Sequence, residues 1–189
     1  MRKLDHLPNA ITMSRVALVP VLILLLRAHD YPHALVVFAI AGFSDALDGF
    51  IAKRFGLVSQ LGAVLDPLAD KILLISAYVM LALLERIPFW LVLLVVFRDL
   101  LIVGGYLVYA SLVGAVQMRP SLLSKLNTLV QILLVVMVLT RAASGWPSPS
   151  NLGLLIGLAG LTTAGSGLHY IWSWLVVRAI EPVAEAGHD

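Results

Sequence analysis

Residues 44–71, SDALDGFIAKRFGLVSQLGAVLDPLADK, carry Asp45, Asp48, Asp66 and Asp70 among Phe, Leu, Ile, Val and Gly. Asp45 and Asp48 are three apart, and Asp66 and Asp70 are four apart. On a helix, either spacing puts the pair on one face, about one turn apart. Gly49, Gly56 and Gly62 lie between the pairs and are enough to turn the chain, so that two antiparallel helices present one pair to the other. Four carboxylates that close repel one another, and burying them unpaired is expensive. One or two divalent cations resolve the conflict. An all-oxygen donor set, with no cysteine in the chain, favours Mg²⁺, Mn²⁺ or Ca²⁺ over zinc. Plainer readings stand beside this one. Asp66 precedes Pro67, as an N-cap precedes a first-turn proline, and Asp45 could pair with Lys125 or Arg98. Gly49 suits either close helix packing or close approach of a ligand.

These aspartates must be positioned by helices. The 189 residues are 60% hydrophobic and 13% charged, with a mean hydropathy of +0.97. A soluble domain would be near half apolar and a quarter charged. Six stretches approach the length of a membrane helix: roughly 10–28, 34–53, 67–85, 89–112, 122–141 and 152–179. The expected fold is therefore an all-α integral membrane protein, one domain of six transmembrane helices spanning residues 1–189. The N-terminus resembles a signal peptide, but Arg15 interrupts the approach and no small-residue cleavage site follows, so it is read as a retained first helix. RAASGWPSPSN, residues 141–151, is read as the loop before the last helix.

Orientation follows from Lys and Arg. One side receives Arg2, Lys3, Arg15, Lys53, Arg54, Lys71, Arg119, Lys125 and Arg178; the other receives Arg27, Arg86 and Arg141, with Arg98 set aside as mid-helix. Nine against three places both termini and the aspartates on the cytoplasmic side; the expected location is a bacterial inner membrane. No basic run mixed with aromatics supports nucleic-acid binding.

The pattern Asp45-x2-Asp48-Gly49-x2-Ala52-Lys53-x8-Gly62-x3-Asp66-x3-Asp70 has eight fixed positions and resembles the signature of the CDP-alcohol phosphatidyltransferases. LPNAITMSRVALVP, residues 7–20, is similar to the first helix of that family's phosphatidylglycerophosphate and cardiolipin synthases. FRDLLIV (97–103) and RPSLLSKLNTLVQILLV (119–135) look most like the cardiolipin synthases. One position departs: the family usually has Arg where this chain has Lys53, which keeps the charge and loses the planar fork. The resemblance implies that CDP-diacylglycerol is the donor and that Mg²⁺ or Mn²⁺ is the cofactor, two ions per site. Asp45, Asp48, Asp66 and Asp70 would be metal ligands, with Asp70 also the catalytic base. Asp45, Gly49, Ala52, Lys53 and Gly62 would hold the CDP moiety. It also implies a homodimer.

The acceptor is expected among the other polar helix residues: Arg15, Arg98, Lys125, Asn127 and Thr128. Structural pairing of Arg98 and Asp99 with other groups across the bundle, and snorkelling of Arg15 and Lys125 to the headgroups, are the plainer readings. Phosphatidylglycerophosphate synthases usually carry a lysine where this chain has Asn127, and glycerol 3-phosphate bears about two negative charges against one on phosphatidylglycerol. The expected acceptor is therefore phosphatidylglycerol, with glycerol 3-phosphate the alternative, and Asn127→Lys is expected to move that preference. A cation transporter would also place carboxylates in a bundle. It would line its path through the membrane depth, whereas these aspartates gather toward one side.

Overall fold

The computed structural model describes the backbone over residues 7–55, 60–113 and 122–180, and side chains over 17–44, 71–105 and 122–172. The described backbone is all-helical: α1 (Leu7–Arg27), α2 (Tyr31–Phe55), α3 (Gln60–Leu83), α4 (Phe89–Val113), α5 (Leu122–Ser144) and α6 (Pro149–Ile180). All six expected helices are present.

Local chemistry sets their ends. α1 closes with the Asp30 and His29 amides donating to the carbonyls of Leu25 and Leu26, and His29 takes the left-handed conformation, φ 56°. α3 closes the same way. Arg86 and Glu85 donate to Leu81 and Ala82, with Glu85 at φ 57°. Both are helix C-caps usually built with glycine. α5 does use one, Gly145 at φ 80°. Asp30 opens α2: its carboxylate accepts from the His33 amide at 3.4 Å and bonds the His33 ring at 2.8 Å, which holds this carboxyl below the usual range. Ser148 caps α6, accepting from the Asn151 amide at 3.4 Å, with Pro149 at the first helical position. α6 therefore starts inside the stretch read as a loop.

One plain reading of the sequence is overturned here. α3 begins at Gln60, so Asp66 and Pro67 lie within it. Asp66 is not an N-cap, and Pro67 removes one amide donor from the helix interior.

The helices pack in a circuit: α1 on α3, α3 on α4, α4 on α6, α6 on α5, α5 on α2 and α2 back on α1, with α3 also touching α5. Leu22, Leu26, Phe38, Tyr78, Leu81, Leu91 and Leu134 fill the interior. Ala34, Ala41, Ala77 and Ala159 let the backbones approach. Every helix also exposes large apolar side chains, among them Leu24, Phe43, Leu83, Phe97, Leu129 and Leu161. Buried polar residues, Arg98, Asp99, Asn127, Gln131, Thr163 and Ser166, lie inside. Soluble monomers rarely expose so much apolar surface. Leu122–Ser144 and Pro149–Trp172 are long and apolar enough to cross a membrane.

Candidate functional site

A cavity of about 280 Å³ opens between α2, α3, α4 and α5. Phe38, Ala41, Leu73, Leu74 and Ile132 form its apolar wall. Lys71, Arg98, Asp99, Thr128 and Gln131 supply its polar groups. Gly42 completes the α2 side, and a Cβ there would meet nothing within 4 Å.

The cavity adjoins the aspartate motif along the backbone. Gly42 lies three residues before Asp45 on α2, and Lys71 directly follows Asp70 on α3. Asp45, Asp48, Gly49, Ala52 and Lys53 continue α2, while Gly62, Asp66 and Asp70 belong to α3. Their side chains, and that of Arg15 on α1, lie outside the described residues, as does the expected facing of the two aspartate pairs.

The described polar groups are organised by Arg98, which is 5% exposed. Its Nη1 donates to Asp99 Oδ1 at 2.7 Å. Its Nε and Nη2 donate to Ser166 Oγ of α6 at 3.3 and 2.9 Å, and Nη2 also reaches Ser124 Oγ of α5. One guanidinium thus ties three helices together. Lys71 Nζ lies 3.0 Å from the same Asp99 Oδ1, with the lysine side chain 34% exposed. A single carboxylate oxygen is shared by two cations. Thr128, on the cavity wall, donates to its own helix at Ser124 O, 3.1 Å away.

Asn127 is placed elsewhere. It is fully buried between α5 and α6, and its Oδ1 accepts from Thr163 Oγ1 at 2.8 Å and Thr162 Oγ1 at 3.0 Å. Gln131 Nε2 donates to Thr163 Oγ1 at 3.1 Å, and Tyr78 donates to the Gln131 carbonyl at 3.3 Å. Neither Asn127 nor the exposed Lys125 lines the cavity. The structure therefore brings Arg98 and Thr128, both expected, together with Lys71, Asp99 and Gln131. The sequence marked Asp99 as an ionisable residue in the middle of a helix beside Arg98, and marked Lys71 only by its position directly after Asp70.

The bundle thus has apolar outer faces and a largely apolar cavity that gathers a few charged and polar groups, on helices two of which continue into the aspartate motif. The family model for CDP-alcohol phosphatidyltransferase matches residues 5–177, and the chain belongs to that family. It is 36% identical to the human cardiolipin synthase (CMP-forming) over 180 residues, which cover 87% of this chain and 60% of that protein. The Streptomyces coelicolor cardiolipin synthase (CMP-forming) is 32% identical over 174 residues, 88% of this chain and 77% of that protein. The Bacillus subtilis CDP-diacylglycerol--glycerol-3-phosphate 3-phosphatidyltransferase is 33% identical over 145 residues, 69% of this chain and 74% of that protein. The chain thus spans about 60% of the length of the human and rat relatives it matches.

Proposed function

We propose that this chain transfers a phosphatidyl group from CDP-diacylglycerol to phosphatidylglycerol, forming cardiolipin and releasing CMP. The observation that carries the reading is the cavity beside the aspartate motif. Its cationic groups suit an acceptor phosphate, and its apolar wall suits a lipid acceptor. The six helices would each cross the membrane, with both termini and the motif on the cytoplasmic side, as the Lys and Arg bias suggests. A homodimer is carried from the resemblance alone.

The donor set fits divalent ions. Four carboxylates sit at helical spacings of three and four on α2 and α3, and the chain offers no thiolate. Asp45, Asp48, Asp66 and Asp70 would hold Mg²⁺ or Mn²⁺. When bound, the ions would offset charge on the pyrophosphate of the donor. Asp45, Gly49, Ala52, Lys53 and Gly62 would hold the cytidine nucleotide. Asp70 would take the proton of the acceptor hydroxyl as its oxygen attacks the β-phosphorus, and the bond to CMP breaks. The cavity side chains would orient the acceptor for in-line attack.

The test is CMP release by the purified protein with CDP-diacylglycerol and Mg²⁺ or Mn²⁺, given phosphatidylglycerol or glycerol 3-phosphate in turn, with the lipid product identified. Turnover with phosphatidylglycerol, abolished by EDTA, is expected. Turnover with glycerol 3-phosphate alone would establish the second reading, phosphatidylglycerophosphate synthesis, which the Bacillus subtilis relative favours. Silence with both acceptors, with cation flux through proteoliposomes, would return the aspartates to transport.

A further inference from the structure

The two cations of the cavity are not equivalent. Arg98 is buried and spends its guanidinium on Asp99, Ser124 and Ser166. It is a fixed hub that joins α4, α5 and α6. Lys71 is partly exposed, lines the cavity, and has one ion-pair partner among the described residues, Asp99. A lysine ammonium has three donors on a flexible stem. Lys71 is thus the cation placed to meet a ligand in the cavity, and Asp99 holds it there through an oxygen it shares with Arg98.

Charge decides which ligand is suited. Among the described lining residues, Lys71 and Arg98 contribute two positive charges and Asp99 one negative, a net of one positive. A phosphodiester brings one negative charge, and a phosphomonoester brings nearly two near neutral pH. Without Asp99, the described lining residues would present two positive charges to the acceptor.

We propose that Lys71 binds the acceptor phosphate, and that Asp99 is a positioning residue that orients Lys71 and tempers the cavity's charge, so that a phosphodiester acceptor is favoured over a phosphomonoester. This rests on the reading of the chain as a phosphatidyltransferase whose acceptor enters this cavity. It does not depend on Asn127, which faces α6.

The experiment compares Asp99→Asn, Asp99→Glu and Lys71→Gln with the unaltered protein, measuring kcat and KM for phosphatidylglycerol and for glycerol 3-phosphate at saturating CDP-diacylglycerol. Removing one charge within a few ångströms of a bound phosphate should raise the preference for glycerol 3-phosphate over phosphatidylglycerol by about tenfold in Asp99→Asn. The change should fall in the acceptor KM, and Asp99→Glu should stay near the unaltered ratio. Lys71→Gln should raise the acceptor KM while leaving the KM for CDP-diacylglycerol unchanged. Equal loss of kcat with both acceptors in Asp99→Asn, at an unchanged ratio, would overturn the proposal and leave Asp99 a structural ion-pair partner. If Asp99→Asn does not fold, Lys71→Gln decides, because it keeps the Arg98–Asp99 contact; an unchanged acceptor KM there would overturn the proposal. Failure of the cardiolipin reading is seen separately, as an unaltered protein that turns over only glycerol 3-phosphate. In that case a lower KM for glycerol 3-phosphate in Asp99→Asn would still support the role of Asp99, and an unchanged KM would overturn it.

Discussion

Asn127→Lys separates the sequence expectation from the structure. The sequence suggests that a lysine here would add a cation beside the acceptor and favour glycerol 3-phosphate. The structure puts Asn127 at 0% exposure, with Oδ1 accepting from Thr162 and Thr163 at 3.0 and 2.8 Å. The cost of replacing it can be worked from these contacts. Thr162 also donates to the Leu158 and Ala159 carbonyls at 3.0 and 3.2 Å, so it keeps an acceptor. Thr163 loses the partner it donates to, for about 1 kcal/mol. Asn127 Nδ2 is buried with no hydrogen-bond partner among the described residues, and Asn127→Leu removes that unsatisfied donor as well, so its net cost should be close to zero. Asn127→Lys adds an ammonium to a seam with no carboxylate among its described partners, and a buried unpaired charge costs about 3–5 kcal/mol after relaxation. Stabilities of about 5–15 kcal/mol leave little margin for that. Thermal unfolding of both variants in detergent, read by circular dichroism beside CMP release with each acceptor, is the assay. The expected result is little or no shift for Asn127→Leu and a large downward one for Asn127→Lys, with the activity of Asn127→Lys falling alike for both acceptors. Normal unfolding of Asn127→Lys, together with a gain in glycerol 3-phosphate use, would refute the placement of Asn127 against α6.

Glu85→Gly should stabilise the protein by up to about 1 kcal/mol, because Glu85 occupies a left-handed C-cap at φ 57° that glycine adopts without strain; an unchanged or lower midpoint in a thermal melt would show that the Glu85 side chain offsets the strain. The chain contains no cysteine, so one introduced thiol reports one position. In right-side-out vesicles, Ser150→Cys should react with a membrane-impermeant maleimide and Ala184→Cys only after lysis, and the reverse pattern would invert the proposed orientation.

The helices were legible because long apolar runs need no periodicity to be seen. Their inner and outer faces were not. In α4, Phe97 and Leu100 face outward while Arg98 and Asp99 are buried, the reverse of a soluble helix. With apolar residues on both faces, the apolar stripe carries no direction. The C-terminal ends of α1 and α3 fall within one or two residues of those expected, although their capping residues are atypical. His29 and Glu85 fill positions where glycine is the usual mark. Pro67 suggested a helix start, yet lies seven residues inside α3. The missing amide at Pro67 is tolerable in a bundle whose neighbours can satisfy a freed carbonyl.

The same contrast divides the site. The motif from Asp45 to Asp70 lies on two consecutive helices, and its fixed spacing could be read directly because helical geometry turns sequence separation into position. The cavity and the hydrogen bonds of Arg98 draw on Lys71 of α3, Arg98 and Asp99 of α4, Ser124, Thr128 and Gln131 of α5, and Ser166 of α6. No spacing rule links residues 71, 99 and 166, because their meeting depends on the order in which the helices pack. Asn127 shows the consequence. Its neighbour Thr128 faces the cavity, and one step along the helix, about 100° around its axis, turns Asn127 to α6. A polar residue within a membrane helix marks an inner face, and only the packing of its neighbours decides whether that face holds a substrate or another helix.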